Sequence, residues 1–450
     1  MEIAELRSPE ALNDKADEHT TDEAFDWRNC WYPVTFVDDL PKDRPTPFTL
    51  YDDPLVLFFD GDEGLCCLQD RCAHRGARLS DGRMVDGRIE CLYHGWQFGA
   101  GGQCRHIPQL GEGKDIPKRS CVRSYPLMER QGLVWVWAGD PERADPELIP
   151  CTAKLDDPSV TRVDFQMDLP YDQSYLIENV IDVAHIHIAH DGMRGGGLRA
   201  AAKPLEFNIL ESSVHGIRST FKTVGLVRDE ASSPLKAAIV EYVAPNLIRF
   251  TSDYRNPDLI AGLSLYSLPL GKSRCRLLYR KYSNFTSWKE RWKPRWLEHW
   301  TQCTILEQDM GVVIGQYEGI ERSKRPLREL WQPLKTSDRL VIEYRKWLDR
   351  FGRDLPFYRG FASFKSSVDD PFFVKAPTDR HSLHTKVCGT CSRTYRNIER
   401  AINGLWSSVA VFGALGIVTA GGTLSSAAVT AALVSLVGVA GLRRMKIQFE

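Results

Sequence analysis

The chain of 450 residues carries almost no net charge, with 58 Lys and Arg against 59 Asp and Glu, a balance of −1. That balance leaves out the basic footprint of a nucleic-acid-binding protein. The first 26 residues are acidic and polar, so they read as neither a secretory leader nor an Arg- and Ser-rich transit peptide. They are expected to form a mobile acidic tail over residues 1–24, on either a bacterial chain or one supplied without its presequence. Nowhere is there a Gly-x-Gly-x-x-Gly fingerprint for a flavin or nicotinamide, so any redox chemistry needs an external reductant. Charge is absent from one long stretch, Leu405 to Leu442, which is 38 residues without Asp, Glu, Lys or Arg.

Cysteine is not scarce. There are 12, but in a chain of this size their spacing relative to His reads as metal ligation in a reducing compartment, not as a disulfide framework. Cys72-Ala-His74 and Cys91-Leu-Tyr-His94 are separated by sixteen residues. Two Cys and two His in this arrangement are the ligand set of a Rieske [2Fe–2S] centre, with thiolates on one iron and imidazoles on the other. Gly76, Gly82, Gly87 and Gly95 flank the two loops and let backbone N–H groups approach the cluster sulfides. Pro108 is expected to close a third loop over it. Tetrahedral zinc is the alternative for a Cys₂His₂ set. Cys66 and Cys67 read as packing residues, and Cys104 and Cys121 as ordinary thiols or a redox pair.

A second constellation follows in Asn179, Asp182, His185 and His190. His185 and His190, five apart on a predicted helix over 171–190, are metal ligands only if that helix bends or bulges between them. His187 with His190 is a competing pair, and surface His residues are the bland reading. Asp182 sits one turn before His185 and is placed to orient it; Glu178 and Asn179 extend the polar face. A mononuclear iron site of the two-His, one-carboxylate type needs one acid more. Asp309, in an apolar helical stretch where an unpaired carboxylate is costly, is favoured over its neighbour Glu307.

The organisation is α+β. A β-rich, all-β unit over 25–140 carries the first cluster, and a Pro- and acid-rich linker covers 141–160. A sheet with long helices over 161–380 carries the second. Residues 381–404 form a neck containing Cys388-Gly-Thr-Cys391, and 405–442 have room for two short membrane spans turning at Gly421-Gly422. Arg393, Arg396 and Arg400 before the run, and Arg443, Arg444 and Lys446 after it, place both ends on one, cytoplasm-like side. The alternative is a buried apolar helix pair. Cys388 and Cys391 read as a thiol switch acted on by thioredoxin, or as a structural pair or metal partner.

Taken together, Cys-x-His…Cys-x₂-His, Asn-x₂-Asp-x₂-His-x₄-His and a late Glu-Gln-Asp helix resemble the Rieske non-haem iron oxygenases over about residues 25–320. Gly95-Trp-Gln-Phe, Cys104-Arg-His-Ile-Pro-Gln109 and Cys388-x-x-Cys391 before an apolar tail are similar to the pheophorbide a oxygenase-like branch. That branch includes the Rieske component of the chloroplast inner-envelope translocon and its cyanobacterial relatives. The resemblance implies a Rieske domain followed by a helix-grip catalytic domain, often in a homotrimer. It implies a cluster held by Cys72, His74, Cys91 and His94, and Fe(II) held by His185, His190 and Asp309. Asn179 and Asp182 complete the catalytic set, with Asp182 bridging to a Rieske His of the neighbouring subunit. The implied activity is monooxygenation of a hydrophobic, tetrapyrrole-type substrate with O₂ and electrons from ferredoxin. The implied place is a thylakoid, plasma or plastid-envelope membrane, with the body on the cytoplasmic or stromal side. A redox-sensing component of a membrane complex, and an oxygenase for a small aromatic or quaternary amine, are the alternatives. His187 and Gly192–Gly197 are expected to shape the substrate mouth.

Overall fold

The computed structural model describes residues 24–111, 113–193, 197–221, 235–365, 377–419 and 421–450; the expected acidic tail lies almost wholly outside them. Alternating apolar residues and tight turns build the first part as three small antiparallel sheets. One joins β1 (Trp31–Phe36), β9 (Leu127–Arg130) and β10 (Leu133–Trp137), a second β2 (Thr46–Leu50), β3 (Asp53–Asp60) and β4 (Gly64–Gln69). The third joins β5 (Arg83–Val85), β6 (Arg88–Glu90), β7 (Gln97–Phe98) and β8 (Cys104–His106). The linker is three short 3₁₀ turns, two of them capped by the carboxylates of Asp140 and Asp145.

The second part is a seven-stranded antiparallel sheet in the order β11-β17-β16-β15-β14-β13-β12. Its strands are β11 (Thr161–Leu169), β12 (Phe207–Ser213), β13 (Gly216–Phe221), β14 (Leu235–Val243), β15 (Leu247–Tyr254), β16 (Ala261–Gly271) and β17 (Arg274–Ser283). Against it lie α1 (Gln173–Ile181), the single turn α2 (Ile186–Ala189), α4 (Arg295–Ser323) and α6 (Arg339–Phe351). Short α3 (Trp288–Arg291) and α5 (Leu327–Leu330) connect them. The long Trp-rich helix expected from Trp288 onward is interrupted. Ser287 and Glu290 form a capping box that starts α3, and Pro294, with no N–H to give, restarts the helix as α4. Asp338 stands at the start of α6, but its carboxylate accepts the Leu334 N–H at 2.6 Å instead of capping the helix.

The core does not stop at the expected boundary. Trp31, Val34, Trp135 and Trp137 bury into the same apolar cluster as Phe165, Tyr175, Leu277 and Trp347. Cross-strand pairs reinforce that join. Arg276 grips Asp168 through two hydrogen bonds and reaches the Val34 carbonyl at 3.2 Å, and Arg280 grips Asp164 and the Gln131 carbonyl. The β5–β8 region keeps a separate small core around Val56, Leu68, Leu79, Ile89 and Phe98.

At the far end, α7 (Gly389–Val418) and α8 (Thr423–Lys446) pack as an antiparallel hairpin turning near Gly421 and Gly422. Helix α7 starts directly after Cys388, so the neck and the first apolar helix are one element. Both helices are long and apolar enough to cross a membrane, with little of either buried. Val411, Ile417, Val434 and Val437 are more than half exposed, at 63, 79, 66 and 73 %. Those apolar faces have no partner among the described residues, and exposed apolar patches of this kind mark interaction surfaces.

Candidate functional site

The two Cys/His loops are near copies of each other. In each, a Cys carbonyl accepts a glycine N–H four residues on, Gly76 to Cys72 and Gly95 to Cys91, both at 2.9 Å. Both glycines take φ near +75°. A Cβ on Gly95 would meet Pro108 Cγ at 2.9 Å, so the third loop closes over this one as expected. Gln109 donates to the His94 carbonyl at 2.9 Å and ties that loop down. Cys72 and Cys91 are buried and face each other. His74 and His94 lie at the exposed tip with ring centroids 4.5 Å apart, and Trp96 stacks on His74 at 4.7 Å. Burial pushes the Cys72 thiol up to about 11. A thiolate there needs a cation beside it, which bound iron supplies. Thiols inside and imidazoles at the rim are the donor order of a [2Fe–2S] cluster with its His-ligated iron toward the surface.

The second site departs from the expected single helix. Helix α1 stops at Ile181, where the Asp182 carboxylate reaches forward to accept the Ala184 N–H at 3.0 Å. The break therefore precedes His185 instead of falling between the two His. His185 and His190 flank the single turn α2, and His190 has already left helical geometry (φ −111°, ψ 31°). This lets two residues five apart face one point. His190 Nε2 lies 3.2 Å and His185 Nε2 3.6 Å from Asp309 Oδ1. One donor from each of the three sits within 4.8 Å of the others. Such a set, two neutral imidazoles and one carboxylate with open directions left, fits a mononuclear iron.

Each donor is held from behind. The Asp182 carbonyl accepts from His185 Nδ1, and its carboxylate stands 3.9 Å from the same nitrogen. His190 Nδ1 bonds Gln308 Oε1 at 3.0 Å. The Asn179 amide beside Asp309 pulls its carboxyl pKa down. Burial raises the pKa of the Asp309 carboxyl, against the opposing pull of both His and of Asn179. Burial likewise raises Asp182, against His185. Glu307 is turned away into a paired hydrogen bond with Arg380, at 2.6 Å and 2.5 Å. His187 is buried outside the triad and accepts the Leu198 N–H on Nδ1 at 3.1 Å. Gly197 is needed there, since a Cβ would lie 2.4 Å from His187 Cα. The rest of the expected Gly-rich mouth, 194–196, is outside the described residues.

An open cavity of about 420 Å³ lies beside the triad, between α1, α4 and α6, lined by His185, Asp309, Val312, Leu330, Trp331 and Pro333 among others. Its volume is that of a small-molecule site. The role of Gln308 was missed in the sequence, although it stands next to Asp309 in the Glu-Gln-Asp run. Every described cysteine is free, Cys104 and Cys121 included.

Comparison with known proteins agrees with this geometry. The family model described as Rieske [2Fe-2S] domain matches residues 30–126, and that described as Pheophorbide a oxygenase matches 242–326. Protein TIC 55, chloroplastic, of Arabidopsis thaliana is 31 % identical over 427 residues, 88 % of this chain and 77 % of that protein. Pheophorbide a oxygenase, chloroplastic, of the same plant is 30 % identical, covering 83 % and 74 %. The crystal structure of dicamba monooxygenase bound to dicamba superposes with a TM-score of 0.58 at 25 % identity, over 72 % of this chain and 97 % of that one. With two Fe-binding constellations of the right donors, in the right order, on the matching fold, the chain belongs to the pheophorbide a oxygenase-like Rieske non-haem iron oxygenases.

Proposed function

We propose that this oxygenase is anchored in a membrane and hydroxylates a hydrophobic, tetrapyrrole-type substrate, taking electrons from a ferredoxin. The observation that carries the reading is the buried His185–His190–Asp309 triad opening on a cavity, in a chain similar to a pheophorbide a oxygenase and to a chlorophyllide a oxygenase of Chlamydomonas reinhardtii. Iron held by Cys72, Cys91, His74 and His94 would store and pass single electrons, and iron held by the triad would activate O₂. The net change is insertion of one oxygen atom into a C–H bond, the second leaving as water with two electrons and two protons.

The protein's own residues do the rest. His74 and His94 present the exposed face through which electrons enter and leave. The Asp182 carbonyl fixes the tautomer of His185, and its carboxylate, 30 % exposed, would receive a Rieske His from a neighbouring subunit of a homotrimer. Asn179 and Gln308 keep Asp309 and His190 aimed at one point. The exposed apolar faces of α7 and α8 favour a bilayer, and the flanking Arg and Lys favour both ends on the cytoplasmic or stromal side. A thylakoid, plasma or plastid-envelope membrane is consistent with relatives named chloroplastic. A small aromatic substrate is the second reading, favoured by the likeness to dicamba monooxygenase.

The deciding experiment is a single turnover of the chemically reduced full chain with labelled O₂ against chlorophyllide, pheophorbide and open-chain bilins. Mass spectrometry should find one labelled oxygen in a tetrapyrrole product, and none with His185→Ala. Conversion of aromatic acids but of no tetrapyrrole would sink the substrate assignment.

A further inference from the structure

A second convergence of donors lies in the neck, away from the triad. His299 comes from α4, His384 from the π-helical turn His381–Thr385, and Cys388 and Cys391 from the start of α7. One ligand atom from each lies within 4.8 Å of all the others, and the four residues are buried. His384 Nε2 is 3.2 Å from Cys391 Sγ, while His299 Nδ1 is 3.4 Å from Cys388 Sγ and 3.5 Å from Cys391 Sγ. A tetrahedral Zn²⁺, with bonds of about 2.3 Å to sulfur and about 2.0 Å to nitrogen, spaces neighbouring S and N donors by about 3.5 Å.

The far sides of both rings are already committed. His384 Nδ1 donates to the Gln166 carbonyl at 2.6 Å, and His299 Nε2 to the Asp164 carbonyl at 2.8 Å. These carbonyls project from β11, which among the described residues is an edge strand of the sheet. With the far nitrogens donating to those carbonyls, the near nitrogen of each ring is the one that faces the thiols. Backbone carbonyls that set the tautomer and aim the ring are the usual backing of a metal-ligating His. Cys388 Sγ also lies 3.8 Å from Asp39 Oδ1, whose carboxylate accepts the Gly389 N–H at 2.9 Å. Phe165 seals the floor, stacked on His384 at 4.7 Å and edge-on to His299 at 5.3 Å.

We propose that His299, His384, Cys388 and Cys391 form a closed structural Zn²⁺ site that fastens the hairpin helix α7 to the catalytic helix α4. Four protein ligands leave no open position, so the site is structural and not catalytic. Loading it releases the two thiol protons and changes no oxidation state. His299 and Asp309 are ten positions apart on α4, about 15 Å along its axis. The zinc thus ties the helix that carries the triad carboxylate directly to the hairpin. The same cysteines as a thioredoxin-reduced disulfide are the opposing outcome.

The test is the metal content of the full chain purified without chelator, measured by inductively coupled plasma mass spectrometry. One zinc per chain is expected beside the iron. Cys388→Ser with Cys391→Ser should lose the zinc while keeping the iron and the Rieske EPR signal, and Cys72→Ser should lose cluster iron and keep the zinc. Because the paired neck variant risks unfolding, cobalt exchanged into the unaltered chain provides a second readout. Intense tetrahedral d–d bands with thiolate charge-transfer absorption are expected. Zinc below a tenth of an equivalent in the unaltered chain would overturn the proposal, as would zinc that survives loss of both cysteines. So would a native Cys388–Cys391 disulfide found by non-reducing peptide mapping, or octahedral cobalt spectra.

Discussion

Behind the triad, Glu178 and Arg345 form a buried ion pair whose removal should be costly in one direction only. Arg345, fully buried on α6, donates twice to Glu178 on α1 and once to the Arg359 carbonyl at 2.8 Å. Gln316 on α4 adds a hydrogen bond to Glu178 at 3.0 Å. Burial works against the Arg345 charge, but Glu178, Tyr175 and Tyr344 together more than offset it and raise its pKa. Arg345→Met leaves the Glu178 carboxylate buried with a single amide donor. Breaking such a pair by removing one partner costs about 3–5 kcal/mol. The Arg359 carbonyl also loses its donor, adding about 1 kcal/mol or more, so a total near 5 kcal/mol is expected. For a unit of this size that is a fall in Tm of roughly 10–20 °C. Glu178→Leu combined with Arg345→Met removes both charges and should recover about 3 kcal/mol of the single-variant loss. Denaturant unfolding followed by tryptophan fluorescence reads this, since Trp331 and Trp347 lie in the same core. A cost below about 1 kcal/mol for Arg345→Met, or a double variant no better than the sum of the singles, would refute the reasoning.

Gln308→Leu removes the partner of His190 Nδ1 and should weaken mononuclear iron binding by about 10–100-fold, seen by competitive chelation with the Rieske signal as internal control. Asp182→Asn keeps the carbonyl that orients His185, so iron content should hold while reoxidation of the reduced cluster slows at least tenfold, on the order of one acid–base or bridging contribution; stopped-flow rates equal to the parent would remove its bridging role. Burial lifts Asp172, the N-cap of α1, to about 6 from an ordinary 3.8. Its folded pKa is raised, so its stabilisation is full below the ordinary value and is lost as pH rises through about 6. Asp172→Asn should therefore gain about 2 kcal/mol on the parent between roughly pH 4.5 and 7.5, and parallel stability–pH curves would show that the carboxyl is not proton-linked.

The cluster loops were legible because their ligands are local, Cys72 to His74 and Cys91 to His94, with glycines marking the turns. Asp309 was legible by cost, since an acid in an apolar stretch must be satisfied. The break before His185 was not, because an intact helix and an Asp182 turn satisfy the same spacing, and only the Ala184 hydrogen bond chooses between them. The shared core of β1 and β10 with the catalytic sheet hid behind a linker whose composition reads as a boundary. His299 was invisible as a ligand for the opposite reason to His74, for it lies 89 residues before Cys388 and only tertiary folding joins them. His384, four before Cys388, was the available hint.

The residues that follow the hairpin come back to the neck. The Phe449 carbonyl accepts from Thr385 at 2.7 Å, and the Gln448 carbonyl from Arg380 at 2.7 Å. Both legs of the hairpin are therefore stapled to the catalytic body, so under the proposed bilayer anchoring the enzyme would ride as a fixed mast and not on a leash. Its cavity would then keep one height and tilt above the lipid surface. A membrane-dissolved substrate of the proposed kind would find it by a two-dimensional search along the sheet, and a cut in the turn near Gly421 would leave the body still moored by both legs.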